Sequence, residues 1–177
     1  MKSMTLLLIV MIISFVVAGL WNSVPVIKET VHLVLDPTAG SLLNWNIMIG
    51  MFAIIILINL IMTLVQKYGT DQETLRQMKK EQKELQEEMK KYKNDPEKLM
   101  EFNKKQMENM PRMFEITMKP LVYTIIPFIL FFRWFSDYFS SEALLEFKFF
   151  GILNWFWFYL IFSIIFSSIW RKILKVV

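Results

Sequence analysis

Residues 45–66 read WNIMIGMFAIIILINLIMTLVQ, and residues 67–119 continue KYGTDQETLRQMKKEQKELQEEMKKYKNDPEKLMEFNKKQMENMPRMFEITMK. The first stretch is uncharged over a length that crosses hydrocarbon, which takes about 20 apolar residues at a helical rise of about 1.5 Å each. Backbone groups in lipid must pair within their own segment, so an uncharged run of this length is a helix. The second stretch holds thirteen Lys or Arg residues and cannot lie in lipid. The fold is decided at this junction, where a membrane span hands over to a charged, helix-forming insert that stands in water.

Outward from the junction, three more blocks are long and apolar: 3–27; 120–132, continuing through Arg133 to Phe135; and 149–170, closed by Arg171 and Lys172. The first block is expected to be a retained anchor, with a cleaved signal peptide as the alternative, since Lys2 precedes it and Val16-Val17-Ala18 is a small-residue cleavage pattern. The insert is strongly basic, whereas residues 136–151 carry only Lys148 against Asp137, Glu142 and Glu146. The positive-inside rule therefore puts the insert in the cytoplasm and the later loop outside. With four crossings, Lys2 and the tail containing Arg171, Lys172 and Lys175 also fall inside. Trp21, Trp45, Trp134 and Trp155 are then expected at the outer interface and Trp170 at the inner one.

The expected fold is an all-α membrane protein of the plasma membrane. A signal-anchor or extra span occupies 1–22 and an outer-face interfacial segment 23–43. The three-helix core consists of 44–66, 117–135 and 151–177, the last including a basic cytoplasmic tail. A cytoplasmic helical hairpin at 67–116 follows the first core helix, and an outer loop lies at 136–150. Within the insert, 72–92 has no Gly or Pro, and Leu75, Met78, Leu85, Met89 and Tyr92 recur at coiled-coil spacing. Asn94-Asp95-Pro96 ends that helix, Asp95 caps the next and Pro96 opens it. A turn this short makes the two helices antiparallel. Pro111 is expected to interrupt the second.

The composition excludes several classes. Among 177 residues, 55% are apolar and none is cysteine; His32 is the single histidine, and the net charge is +4. Thiolate metal sites, disulfides and thiol nucleophiles are absent, and no acid pair, nucleophile–base pair or phosphate loop is present. No enzymatic chemistry, metal or cofactor is expected. The basic residues are interleaved with acids or flank the spans, so they orient the chain rather than bind nucleic acid sequence-specifically.

Polar residues inside spans are informative by their depth. Asn59, Thr63 and Gln66 share one helical face in the cytoplasmic half of the first core span. Thr117, Tyr123 and Thr124 fall in the same half of the second, and Ser163, Ser167 and Ser168 in the same half of the third. Helices with polar groups at one depth can form a wet concavity that opens only to the cytoplasm; hydrogen bonding between helices is the other reading. Met107, Met110, Met113, Phe114 and Met118 crowd the approach to the second core span. Methionine surfaces accept varied apolar partners, so this patch is a candidate capture site for hydrophobic segments, with filler between hairpin and membrane as the alternative. Arg133, a possible secondary charge, is expected to snorkel outward and pair with Asp137.

The order of span, cytoplasmic hairpin and two further spans resembles the YidC/Oxa/Alb membrane protein insertases, and in particular their small archaeal, YidC-like branch. The resemblance covers about residues 44–175. It rests on the methionine-rich approach 107–119, the span containing Pro120 and Pro127, and Asn154-Trp155-Phe156-Trp157-Phe158-Tyr159 through Arg171-Lys172. It implies a groove lined by Asn59, Thr63, Gln66, Thr117, Thr124, Ser163 and Ser167. Newly made membrane proteins and the lipid bilayer would be the partners, with the ribosome and the Sec translocon as candidate suppliers. Bacterial members resemble each other in carrying an arginine on the first core helix, and 45–66 has none, which implies a groove working by neutral hydration. A membrane-anchored coiled-coil scaffold that recruits a soluble partner is a rival from another class. A channel or transporter subunit is a third, which would need polar faces through the whole thickness.

Overall fold

A computed structural model describes residues 2–93 and 95–176, with side chains from Thr5 onward. In chain order the helices are α1 (Lys2–Gly19), α2 (Pro25–Leu35), a π-helical turn (Asp36–Gly40), α3 (Ser41–Trp45), α4 (Ile47–Gly69), α5 (Gln72–Lys91), α6 (Pro96–Phe139) and α7 (Trp155–Leu174). No strand is present among the described residues, only one isolated bridge between Phe149 and Leu153. Among the described residues three helices, α4, α6 and α7, are long and apolar enough to cross a membrane.

Local chemistry sets the helix starts. Side-chain oxygens accept the orphan amides at four of them: Asn46 from Met48 and Ile49, Asp71 from Thr74, Asp95 from Lys98, and Asn154 from Trp157. Pro96 occupies the first turn of α6 as expected, while Asn94 lies outside the described residues. Between α3 and α4 the chain turns a corner too tight for a side chain. A Cβ on Gly50 would lie 2.3 Å from the Leu42 carbonyl oxygen.

The uncharged block 3–27 holds two helices: α1 stops at Gly19, a turn covers 20–23, and Pro25 opens α2. One expectation is corrected here. Pro111 does not interrupt its helix, because α6 runs unbroken for 44 residues through Pro111, Pro120 and Pro127. The second arm of the insert and the second core span are therefore one rod. Each proline removes one amide from the ladder, a loss that membrane helices absorb through neighbouring helices and hydroxyls.

α4 packs along α7, α1 along α6, and α5 against α6. The tight core lies at the end of the molecule away from the hairpin. There Trp134, Phe135, Phe149 and Phe158 are fully buried beside Met51 and Ile55. The Trp155 ring stacks on Phe135 and on Phe139 at 5.8 Å each, and Phe149 stacks on Phe158 at 4.2 Å. Lipid tails are as apolar as leucine, so this interlocking of rings holds the far end together through van der Waals contact rather than water exclusion. Polar bonds mark the two ends. Arg171 donates to Gln66 at 2.9 Å and Arg76 to the Lys175 carbonyl at 2.9 Å on the hairpin side; Tyr138 donates to Asn44 at 2.6 Å on the far side.

Candidate functional site

The methionine-rich approach of α6 borders a cavity of about 810 Å³. Because α6 is continuous through Pro111, Met110, Met113, Phe114, Thr117 and Met118 stand on successive turns and line it together with Val122 and Tyr123. Leu6 and Leu7 of α1 and Gln82 of α5 complete the walls. Met107, expected in the same patch, is not among the lining residues; it lies one turn farther out, 70% exposed. The wall is predominantly apolar, with Glu115 and Lys119 one turn apart as its charged members. Met110, Phe114 and Tyr123 are themselves exposed. The concavity is contiguous and apolar, and flexible methionines form much of its wall.

The polar residues expected to form one groove divide into two sets. On α4 and α7 they meet: the Asn59 amide donates to Ser163 Oγ at 3.2 Å and to the Ile55 carbonyl at 2.8 Å, and the Thr63 hydroxyl donates to the Asn59 carbonyl at 2.6 Å. Asn59 and Thr63 are buried, which makes them a seam between α4 and α7, while Ser163 and Ser167 are half-buried. Gln66, nearer the hairpin, accepts from Arg171. On α6 the hydroxyls turn back on their own helix: Thr117 donates to the Met113 carbonyl at 2.8 Å and Thr124 to the Pro120 carbonyl at 3.2 Å. Neither bond fills a gap left by a proline, since Pro111 and Pro120 withhold their amides from the Met107 and Ile116 carbonyls.

At the far end, α2 and the π-helical turn clasp the end of α6. Asp137 accepts from Lys28 at 2.7 Å and from Trp21 Nε1 at 2.9 Å, and Asp36 accepts from Trp134 Nε1 at 2.7 Å. His32 lies between the two carboxylates, 3.1 Å from Asp36 and 3.5 Å from Asp137. One expectation changes as a result. Asp137 pairs with Lys28, not with Arg133, whose Nε is buried without a hydrogen-bond partner. Trp21 and Trp134 are buried within the clasp, whereas Trp45 stands exposed. Sequence order could not find Lys28 as the partner, since it lies more than a hundred residues from Asp137. The one available signal was that Trp21, Lys28, His32 and Asp36 fall within 21–36.

The hairpin base, by contrast, behaves as a local helix start. Bonds from the Thr74 hydroxyl and then its amide hold the Asp71 carboxyl below its ordinary value. Along the insert, Leu75 and Met78 are buried at the base, and Tyr92 meets Phe102 at 5.9 Å near the tip.

Three helices long and apolar enough to span a membrane, a charged helix pair inserted after the first, and an apolar cavity at the root of that insert are, among the described residues, the features of a multi-pass membrane protein. The model of the family described as integral membrane protein EMC3/TMCO1-like matches residues 32–176, and the chain belongs to that family. It is an integral membrane family within the Oxa1/YidC/Alb3/EMC insertase superfamily. Neither the curated proteins nor the solved structures provide a match. The matched region takes in α3 to α7 and omits α1.

Proposed function

We propose that this protein is a membrane protein insertase, in which the cavity at the root of the hairpin receives a hydrophobic segment from the cytoplasm and passes it into the bilayer. The observation that carries the reading is the cavity of about 810 Å³ walled by Met110, Met113, Phe114 and Met118 at the membrane end of the hairpin. Family membership supports it, as does the basic insert, which the positive-inside rule puts on the side where new proteins arrive. In this reading the mechanism does not depend on a three-helix groove lined by Asn59 and Thr63, whose side chains bond within the α4–α7 seam and along α4. Apolar capture on α6 comes first, and the polar ends Gln66 and Arg171 of the α4–α7 seam stand ready to hydrate a short client flank. Carrying a charged group to mid-bilayer costs several kcal/mol, so even a partly wet entrance raises the rate by orders of magnitude.

Newly made membrane proteins are the partners in this reading, with the ribosome or the Sec translocon as suppliers. The test is reconstitution of the purified chain in liposomes with a short single-span client, scored by protease protection. Insertion above that of protein-free liposomes is expected; equal insertion would overturn the proposal.

A further inference from the structure

Arg133 is the one charged residue between Lys119 and Asp137. Helical spacing offers it the Asp137 carboxylate, but that carboxylate is taken: Lys28 lies 2.7 Å away, Trp21 Nε1 donates at 2.9 Å and His32 stands at 3.5 Å. Asp36 is held by Trp134 and His32 in the same clasp. Glu29, Glu142 and Glu146 are exposed. Among the described residues neither a carboxylate nor an aromatic ring takes the Arg133 guanidinium. Its Nε is buried without a hydrogen-bond partner, which packs the stem into the protein and leaves the terminal Nη groups as the donors that reach outward.

Depth makes this isolation costly. The uncharged run 120–132 between Lys119 and Arg133 supplies about 20 Å of helix at 1.5 Å per residue, against about 30 Å of hydrocarbon. The backbones at 119 and 133 therefore cannot both lie at the membrane surfaces. An arginine below the surface extends its head toward the headgroups and draws polar lipid groups to it. The anion that the bilayer itself carries there is the lipid phosphate, whose oxygens match the planar fork of a guanidinium.

The neighbouring elements supply surface for the rest of a lipid. Trp21, just beyond α1, and Lys28 of α2 are both tied to Asp137, one helical turn from Arg133. The two helices expose Phe15, Val16 and Leu20, and Val26, Leu33 and Val34. Apolar surface that acyl chains can cover thus adjoins a cation that no described protein group neutralises.

We infer that Arg133 binds the phosphate of a phospholipid in the leaflet on the clasp side, with the acyl chains against the exposed apolar sides of α1 and α2. This site is at the opposite end of α6 from the methionine-lined cavity, and it stands whether or not the protein is an insertase.

The probe is dioleoylphosphatidylglycerol titrated into the purified full chain in detergent, with bound lipid counted by native mass spectrometry. Dioleoylglycerol, which has the same chains and no phosphate, is the comparator. The parent chain is expected to hold one phospholipid about ten-fold or more tighter than Arg133→Gln does, the worth of a charge-assisted pair. Lys148→Gln, which removes an exposed cation near the same end, is expected to bind like the parent. Excess inorganic phosphate is expected to leave the lipid bound. A second measurement needs no loss of the charge: the Arg133 Nε–H resonance of the parent, assigned by its disappearance in Arg133→Lys, is expected to shift with the phospholipid and to stay in place with dioleoylglycerol. Equal binding by the parent and Arg133→Gln, equal retention of the two lipids, or a resonance indifferent to the phospholipid would overturn the site. Displacement by inorganic phosphate would overturn the lipid as the source of the anion.

Discussion

Replacing Asn59 with leucine separates two accounts of the buried polar residues. Its amide makes one bond across to Ser163 at 3.2 Å and one to its own helix at the Ile55 carbonyl. Only the first links α4 to α7, and interhelical side-chain hydrogen bonds in membranes contribute about 0.6 kcal/mol on average and at most about 2. Leucine has a similar volume and restores apolar contact in a site where Asn59 is only 8% exposed. The expected loss of stability for Asn59→Leu is therefore about 1 kcal/mol, a five-fold change in the folded ratio. Tryptophan fluorescence during denaturant titration in detergent micelles measures it. Client insertion by the folded fraction is expected to stay within about two-fold of the parent chain, since 1.4 kcal/mol is a factor of ten. Unchanged stability with insertion abolished would refute the reasoning, because Asn59 would then be acting on a client in water.

Three further outcomes follow from the geometry. Asp137→Asn is expected to destabilise the fold by about 1–3 kcal/mol, since it removes the charged acceptor shared by Lys28 and Trp21, whereas Arg133→Gln costs less; thermal midpoints in detergent compare them, and a larger loss for Arg133→Gln would contradict the assignment of partners. Gly50→Ala sets a Cβ against the backbone of Leu42 at 2.3 Å, so a loss of about 2 kcal/mol or more is expected in the same assay, and a neutral result would mean that the α3–α4 corner is not this tight. For Asp71, whose folded value is depressed, the capping contribution is present above the ordinary carboxylate pKa and is lost as pH falls through the lower folded value. The Thr74 amide resonance of the detergent-solubilised protein is expected to titrate with a midpoint below 3.8, and a midpoint at or above 3.8 would count against the cap.

Most of the helical framework was legible because its signals are local. The uncharged length of 45–66, the strong helix formers of 72–92 and the Asp95-Pro96 start all depend on neighbours within a few residues, and α4, α5 and the start of α6 lie where they point. What was not legible depends on the solvent or on distant chain. Pro111 reads as a breaker by water-based rules, yet α6 continues through it on the way into the membrane. Arg133 was matched to Asp137 by helical spacing, and a lysine on another helix holds that carboxylate at 2.7 Å. At the candidate site, Met110, Met113, Phe114 and Met118 were visible as a patch, while Leu6 and Leu7, which turn it into a walled cavity, come from the other end of the chain. The one-sided depth of Asn59, Thr63 and Gln66 was visible too, but periodicity shows which face they share and not whether α7 covers it.

The central claim is that clients touch the methionine-lined end of α6, and site-specific photocrosslinking tests it most directly. A photoreactive residue at Met113 or Met118 is expected to capture a radiolabelled single-span client stalled during insertion into liposomes, while one at Leu145, exposed in the far-face loop, captures none. Adducts as strong at Leu145 as at Met113 and Met118, or none at the two methionines while the client still inserts, would contradict the account.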